Sequence, residues 1–135
     1  MSERPPAPTP VPNADNAGFW EGSRRGELCL QRCGDCGAYR HHPRPMCPNC
    51  QSLRYDWVAS SGRGTIYSFT IAHRPTLPAF EHRLPYNVIV VELDEGVFLV
   101  SNLVDGSPEI GLRVEVVFEH LNDEIVLPKF RRIVD

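Results

Sequence analysis

The sequence predicts a mainly β protein carrying one short N-terminal helix. Thirteen prolines and ten glycines among 135 residues interrupt the chain at short intervals. Apolar runs without a breaker are short, and beyond Gly62 apolar and polar residues alternate between clusters of turn residues. A hydrophobic content of 41% suffices for one ordinary core and is short for two, so one compact unit with a small satellite is expected.

Residues 1–12 hold prolines at 5, 6, 8, 10 and 12, which remove backbone donors and disfavour helix and sheet alike, so they read as a disordered tail. Residues 13–26 form the expected helix, with Asp15 as N-cap and Gly26 as its stop, and with Phe19 and Trp20 on it. Gly18 and Gly22 oppose that helix by propensity. Residues 27–57 make the satellite. Its first part, 27–31, alternates as a strand that leads into a cysteine pair, with Cys29 packed as a small hydrophobe.

Residues 58–135 supply five strand candidates. Residues 65–72 place Tyr67, Phe69 and Ile71 on one face; 86–93 are almost continuously apolar; 97–104 follow the turn Asp94-Glu95-Gly96 and should close a hairpin with them. Residues 113–119 alternate Val114, Val116 and Phe118 with charged neighbours, and 124–127 return after Leu121-Asn122-Asp123. Five strands with a hairpin at the second and third are compatible with an OB-fold, a partly open barrel. The connection 105–112 is too short for the helix often found there, so the N-terminal helix is expected to cover the open end instead. The long connection 73–85 is the kind of loop that carries function.

The strongest chemical signal is Cys33-Gly34-Asp35-Cys36 followed ten residues later by Cys47-Pro48-Asn49-Cys50. Each CxxC turn presents two thiolates, and two turns complete a tetrahedron at about 2.3 Å per Zn–S bond. Gly37 suits the positive φ needed after the second ligand; Gln51 at the equivalent place suits it less. Residues 39–45 would be the hairpin tip between the turns, and His41 and His42 there could replace a ligand but are expected rather to face solvent or stand behind the ligands. Two disulfides, free thiols or an iron centre are the competing readings. Four thiolates leave no open coordination position, so the metal is expected to fold the ribbon rather than to catalyse.

Among the remaining candidates, His73, Arg74, His82 and Arg83 cluster in the 73–85 connection and could meet the phosphates of a small ligand, or be simply solvated. Tyr67, Phe69, Tyr86 and Phe98 would stack bases in a single-strand binder, but aromatics on alternating strands belong more often to the core. Phe19 and Trp20 read as a staple onto the ribbon or as an anchor for a partner. Neither a nucleophile motif nor a glycine-rich phosphate loop is present, so the chain is not expected to catalyse alone.

Charge narrows the classes further. The net charge is −3, and residues 58–135 hold seven basic and eleven acidic side chains, a net −4 that repels a polyanion at long range. Neither a membrane span nor a signal-peptide pattern occurs, and four of the five cysteines lie in tight pairs, which suits a reducing compartment, so a cytoplasmic protein is expected.

The order of these features resembles the family of small zinc-ribbon/OB-fold proteins associated with acyl-CoA enzymes, long catalogued as a domain of unknown function. The resemblance runs from Phe19-Trp20-Glu21-Gly22 through the two CxxC pairs with Pro43-Arg44 between them, Ser61-Gly62-Arg63-Gly64-Thr65-Ile66-Tyr67-Ser68, Pro85-Tyr86, Val91-Glu92-Leu93-Asp94-Glu95-Gly96 and Gly111 to Pro128-Lys129-Phe130. Gln51, where a glycine is common, departs from the pattern. What the resemblance implies is a rubredoxin-like zinc ribbon joined to a five-stranded OB-fold barrel. It further implies a non-catalytic subunit that joins a thiolase-like, aldolase or hydratase partner in lipid or steroid metabolism and helps to hold acyl-CoA. The competing function is a single-stranded nucleic-acid-binding module, which the charge opposes.

Overall fold

The computed structural model describes residues 8–74 and 77–134. The first seven residues of the expected tail lie outside that range. Helix α1 spans Ala17–Arg24, within the expected segment, but its cap position is Asn16 rather than Asp15. The reason is local: the Asn13 side chain accepts from the Asp15 and Asn16 amides at 2.9 and 3.0 Å, so the turn tightens one residue later. The helix ends as predicted at Gly26 (φ 80°). Gly26 N–H donates to Ser23 O at 3.0 Å and Glu27 N–H to Gly22 O at 2.8 Å, the two bonds of a Schellman cap.

The glycines that argued against this helix are what let it dock. A Cβ on Gly18 would fall inside the indole of Trp57, and one on Gly22 would stand 2.6 Å from Cys29 Sγ. Phe19 meanwhile reaches the core and is 6% exposed.

The ribbon is a three-stranded antiparallel sheet in the order β2-β1-β3, with β1 at Cys29–Cys33, β2 at Tyr39–Arg40 and β3 at Tyr55–Ala59. The first strand therefore starts two residues later than its alternation suggested and runs into the first ligand. The third strand, which sequence alone did not mark, pairs Cys29 with Ala59 and Cys33 with Tyr55, so the ribbon sheet runs to Ala59.

The remaining strands are β4 (Arg63–Ala72), β5 (Tyr86–Leu93), β6 (Phe98–Ser101), β7 (Arg113–His120) and β8 (Val126–Arg132), in the order β6-β5-β4-β7-β8. The sheet curls until β6 and β8 approach: Leu103 bridges Phe130, and Phe130 N–H donates to Asn102 O at 3.0 Å. That is the OB-fold arrangement, a half-barrel of five strands. The β5–β6 hairpin forms as expected, with Gly96 at φ 89° and Glu92 opposite Phe98. Strand β8 runs to Arg132, well past the expected 127, because Pro128 sits opposite Phe118 on the sheet's edge strand, where a missing donor costs little.

One expectation about faces is overturned. The β4–β5 register shifts between Ile66 and Ser68, so Phe69 pairs with Ile89 and shares the face of buried Ile66 and Val91, while Tyr67 is the extra residue. Tyr67, Phe69 and Phe98 are 61%, 38% and 44% exposed, so these aromatics are not core. Tyr86 is half-buried. Ile66, Ile89, Val91, Val114 and Phe130 fill the barrel, and Phe19, Leu28 and Leu30 join the same cluster from the ribbon side. Glu95, on the β5–β6 turn, accepts from Ser60 Oγ at 2.8 Å and from Ser61 N–H at 2.9 Å, tying the barrel to the segment that leaves the ribbon.

Candidate metal centre and a cavity on the barrel

The two CxxC turns are built alike. Cys33 N–H donates to Ala38 O and Gly37 N–H to Cys33 O, at 2.9 and 3.1 Å; Cys47 N–H donates to Ser52 O and Gln51 N–H to Cys47 O, both at 2.9 Å. Each turn thus closes on itself and aims both its sulfurs to one side. The four sulfurs lie within 4.8 Å of one another, with Cys33–Cys50 at 3.5 Å and Cys36–Cys47 at 3.6 Å. A tetrahedron with bonds of about 2.3 Å has edges of about 3.8 Å, so the set fits a single metal ion. The separations are far beyond a disulfide bond of about 2.0 Å, and all five cysteines are free thiols.

The electrostatics ask for a cation. The N–H of Cys36, 3.4 Å from the Cys33 sulfur, draws that thiol down to about 6, and the N–H of Cys50 lowers Cys47 in the same way. The Ser52 N–H favours the Cys50 thiolate too, but the neighbouring sulfurs, Cys33 foremost, push Cys50 up to about 11. Amide dipoles therefore favour the Cys33 and Cys47 thiolates, and the mutual repulsion of four sulfurs is the kind that a bound cation offsets. Cys29 takes no part. It is buried under Gly22 between Arg25 and Glu27, and burial raises its pKa.

His41 and His42 are not in the cysteine cluster. His41 lies half-buried against Phe19, ring centroids 5.4 Å apart, and His42 stacks on it at 4.8 Å. Behind the ribbon, Gln31 is fully buried; its Oε1 accepts from Arg40 Nε at 2.7 Å and from Arg44 N–H at 2.8 Å, which braces the loop between the two turns.

A cavity of about 530 Å³ opens where the 3-10 turn Pro78–Arg83 and the start of β5 face β8. Of the four loop residues expected to bind a ligand, Arg83 lines it, whereas His73, Arg74 and His82 are exposed and do not. The wall that sequence reading missed is Lys129, with Asn87 and Asn102. The signal available in the sequence was the chain's single lysine set within the apolar run Val126-Leu127-Pro128-Lys129-Phe130; in the fold it is 8% exposed, and lysine is rarely buried without a partner. Phe19 and Trp20 both line a smaller cavity of about 300 Å³ that also touches Lys129, and Phe19 belongs to the core cluster, with Trp20 packed against it.

A closed four-cysteine site on a three-stranded ribbon, packed against a five-stranded half-barrel, defines a zinc-ribbon/OB-fold protein. Residues 20–56 match the family described as "ChsH2, rubredoxin-like zinc ribbon domain" and residues 57–119 the one described as "ChsH2, C-terminal OB-fold domain". A DUF35 domain-containing scaffold protein of Methanocaldococcus jannaschii is 32% identical over 97 residues, 69% of this chain and 68% of that one. The chain belongs to the DUF35 family. A probable enoyl-CoA hydratase alpha subunit of Thermomonospora curvata is 44% identical over 130 residues, which cover 94% of this chain; the chain spans 40% of that subunit's length. The solved structure "Ltp2-ChsH2(DUF35) aldolase" contains a chain that is matched over its full length, 93% of this one, at 43% identity and a TM-score of 0.84.

Proposed function

We propose that this protein is a non-catalytic accessory subunit that assembles with an acyl-CoA enzyme, of thiolase-like, aldolase or hydratase type, and contributes to holding acyl-CoA. The observation that carries the reading is the full-length match to the DUF35 chain of an aldolase structure, at a TM-score of 0.84. The relative named as a hydratase alpha subunit supports an enzyme partner from a second direction. In this reading one zinc ion sits on Cys33, Cys36, Cys47 and Cys50 and stabilises the ribbon, with no position open for substrate. The assembly would work in the cytoplasm, where paired thiols stay reduced; among the described residues no helix is long and apolar enough to cross a membrane.

Co-expression with a candidate partner enzyme tests the proposal. A stable hetero-oligomer on size exclusion, with partner activity or solubility that depends on this chain, is the expected outcome. Failure to co-elute with thiolase, aldolase and hydratase candidates encoded beside it would overturn the reading.

A further inference from the structure

Two cations face the 530 Å³ cavity, and they are not matched by two anions. Lys129 Nζ donates to Asn102 Oδ1 at 2.6 Å and lies 3.6 Å from Glu119 Oε2, whose side chain is 44% exposed. An ammonium has three N–H donors, so one remains for the cavity. Arg83 lies over the Phe80 ring, 5.8 Å from its centroid, and has no carboxylate within ion-pair distance among the described residues. The cavity wall is also preset. Asn87 bridges the Leu103 N–H and carbonyl at 2.7 and 2.9 Å, and Asn102 donates to the Asn87 carbonyl while its Oδ1 accepts from Lys129, so both amides are held in place and, being uncharged, leave the ammonium's charge uncancelled. Burial lowers the Lys129 pKa, Glu119 opposes that, and Arg83 adds to it. Leu103, Leu121 and Leu127 supply an apolar stretch of the lining.

We propose that Lys129 and Arg83 form an anion-binding subsite that takes a phosphoryl group of a phosphate ester whose less polar arm lies along the leucine wall. The ligand class rests on the acyl-CoA reading above, in which this group belongs to the coenzyme A moiety; the anion site itself rests on the cavity. Arg83 supplies a planar donor fork, and Lys129 a point charge held in place by Asn102.

Calorimetry on the full zinc-loaded chain tests this with coenzyme A, pantetheine and inorganic pyrophosphate as probes. Coenzyme A should bind at least 10-fold more tightly than pantetheine, which lacks the phosphates. Lys129→Met and Arg83→Gln should each weaken coenzyme A by about 10-fold or more, and Lys129→Arg should stay within about 3-fold of wild type. Arg83 is exposed, so its variant keeps the test open if Lys129→Met fails to fold. Coenzyme A binding that both variants leave unchanged would overturn the subsite and leave the acyl-CoA reading standing. Pyrophosphate binding that depends on Lys129, without any coenzyme A binding, would support the subsite and sink the acyl-CoA reading. Binding of neither probe overturns both.

Discussion

Gly37 and Gln51 occupy the same place in the two halves of the metal centre: each donates its N–H to the carbonyl of the first cysteine of its turn, and each has a positive φ, 76° and 61°. Gln51 is the only non-glycine residue with positive φ among the described residues. A side chain in that region costs roughly 1–2 kcal/mol, partly offset by the greater chain entropy that glycine loses on folding. Gln51→Gly should therefore stabilise the metal-loaded protein by about 0.5–1 kcal/mol, and Gly37→Ala should destabilise it by a similar amount, both measured by urea unfolding. An unchanged midpoint for Gln51→Gly would show that the turn does not strain this residue.

Purified protein should contain about one equivalent of zinc by elemental analysis. Cys47→Ser breaks the tetrahedral set and should lose the metal together with the ribbon's near-UV signal, since structural zinc contributes roughly 10–16 kcal/mol in small peptides. Cys29→Ser should keep its zinc, because Cys29 lies outside the cluster. Zinc retained at wild-type level by Cys47→Ser would contradict the ligand assignment.

Gly18→Ala should be more harmful than any helix-propensity scale implies. Alanine is the better helix former by about 1 kcal/mol, yet its methyl would collide with Trp57, an overpacking cost of about 1–3 kcal/mol. A lower melting temperature combined with increased Trp57 exposure is the expected result; a higher one would mean that the helix tolerates a shift off the ribbon.

Acid should weaken the fold in part through His41. Burial, with His42 adding to it, lowers its pKa from 6.5 to about 4, so between those values the unfolded chain binds more protons than the native one and stability falls as pH falls. The contribution is fully present above pH 6.5 and is lost toward pH 4, on the order of 1–3 kcal/mol. His41→Phe preserves the stack on Phe19 and should flatten stability over this range, relative to wild type. Equal slopes for the two proteins would remove His41 as the cause.

Binding to mixed-sequence single-stranded DNA or RNA should be negligible at physiological salt, despite the exposed Tyr67 and Phe98 rings 5.1 Å apart. Residues 58–135 carry a net −4, and non-specific binding depends on neutralising phosphates. Micromolar anisotropy titrations with a steep salt dependence would restore the nucleic-acid reading.

Much of the metal site was legible because its chemistry is local. Two thiols three residues apart describe a turn whatever surrounds it, with Gly37 after the second in the first turn, and the ten-residue gap left room for Tyr39–Arg40 to pair back on β1. The hairpin at Asp94-Glu95-Gly96 was legible for the same reason. Helix α1 was found, but its glycines read as defects, because propensity scores a residue against its own backbone and not against Trp57 from a strand that alternation did not reveal.

By itself the sequence determined the class of the protein: a mainly β chain, a four-thiolate set, the approximate positions of the five barrel strands, and an acidic barrel half. These follow from interactions between residues a few positions apart, so a linear reading captures them. Only the tertiary structure decided which residues share a surface. The shift at Tyr67 depends on pairing with β5; it separates Tyr67 from Phe69, which alternation had placed on one face. The meeting of Arg83 with Lys129 joins residues 46 positions apart through the curl of the sheet. Such contacts arise from closing long loops onto a barrel, and no local pattern encodes where those loops end.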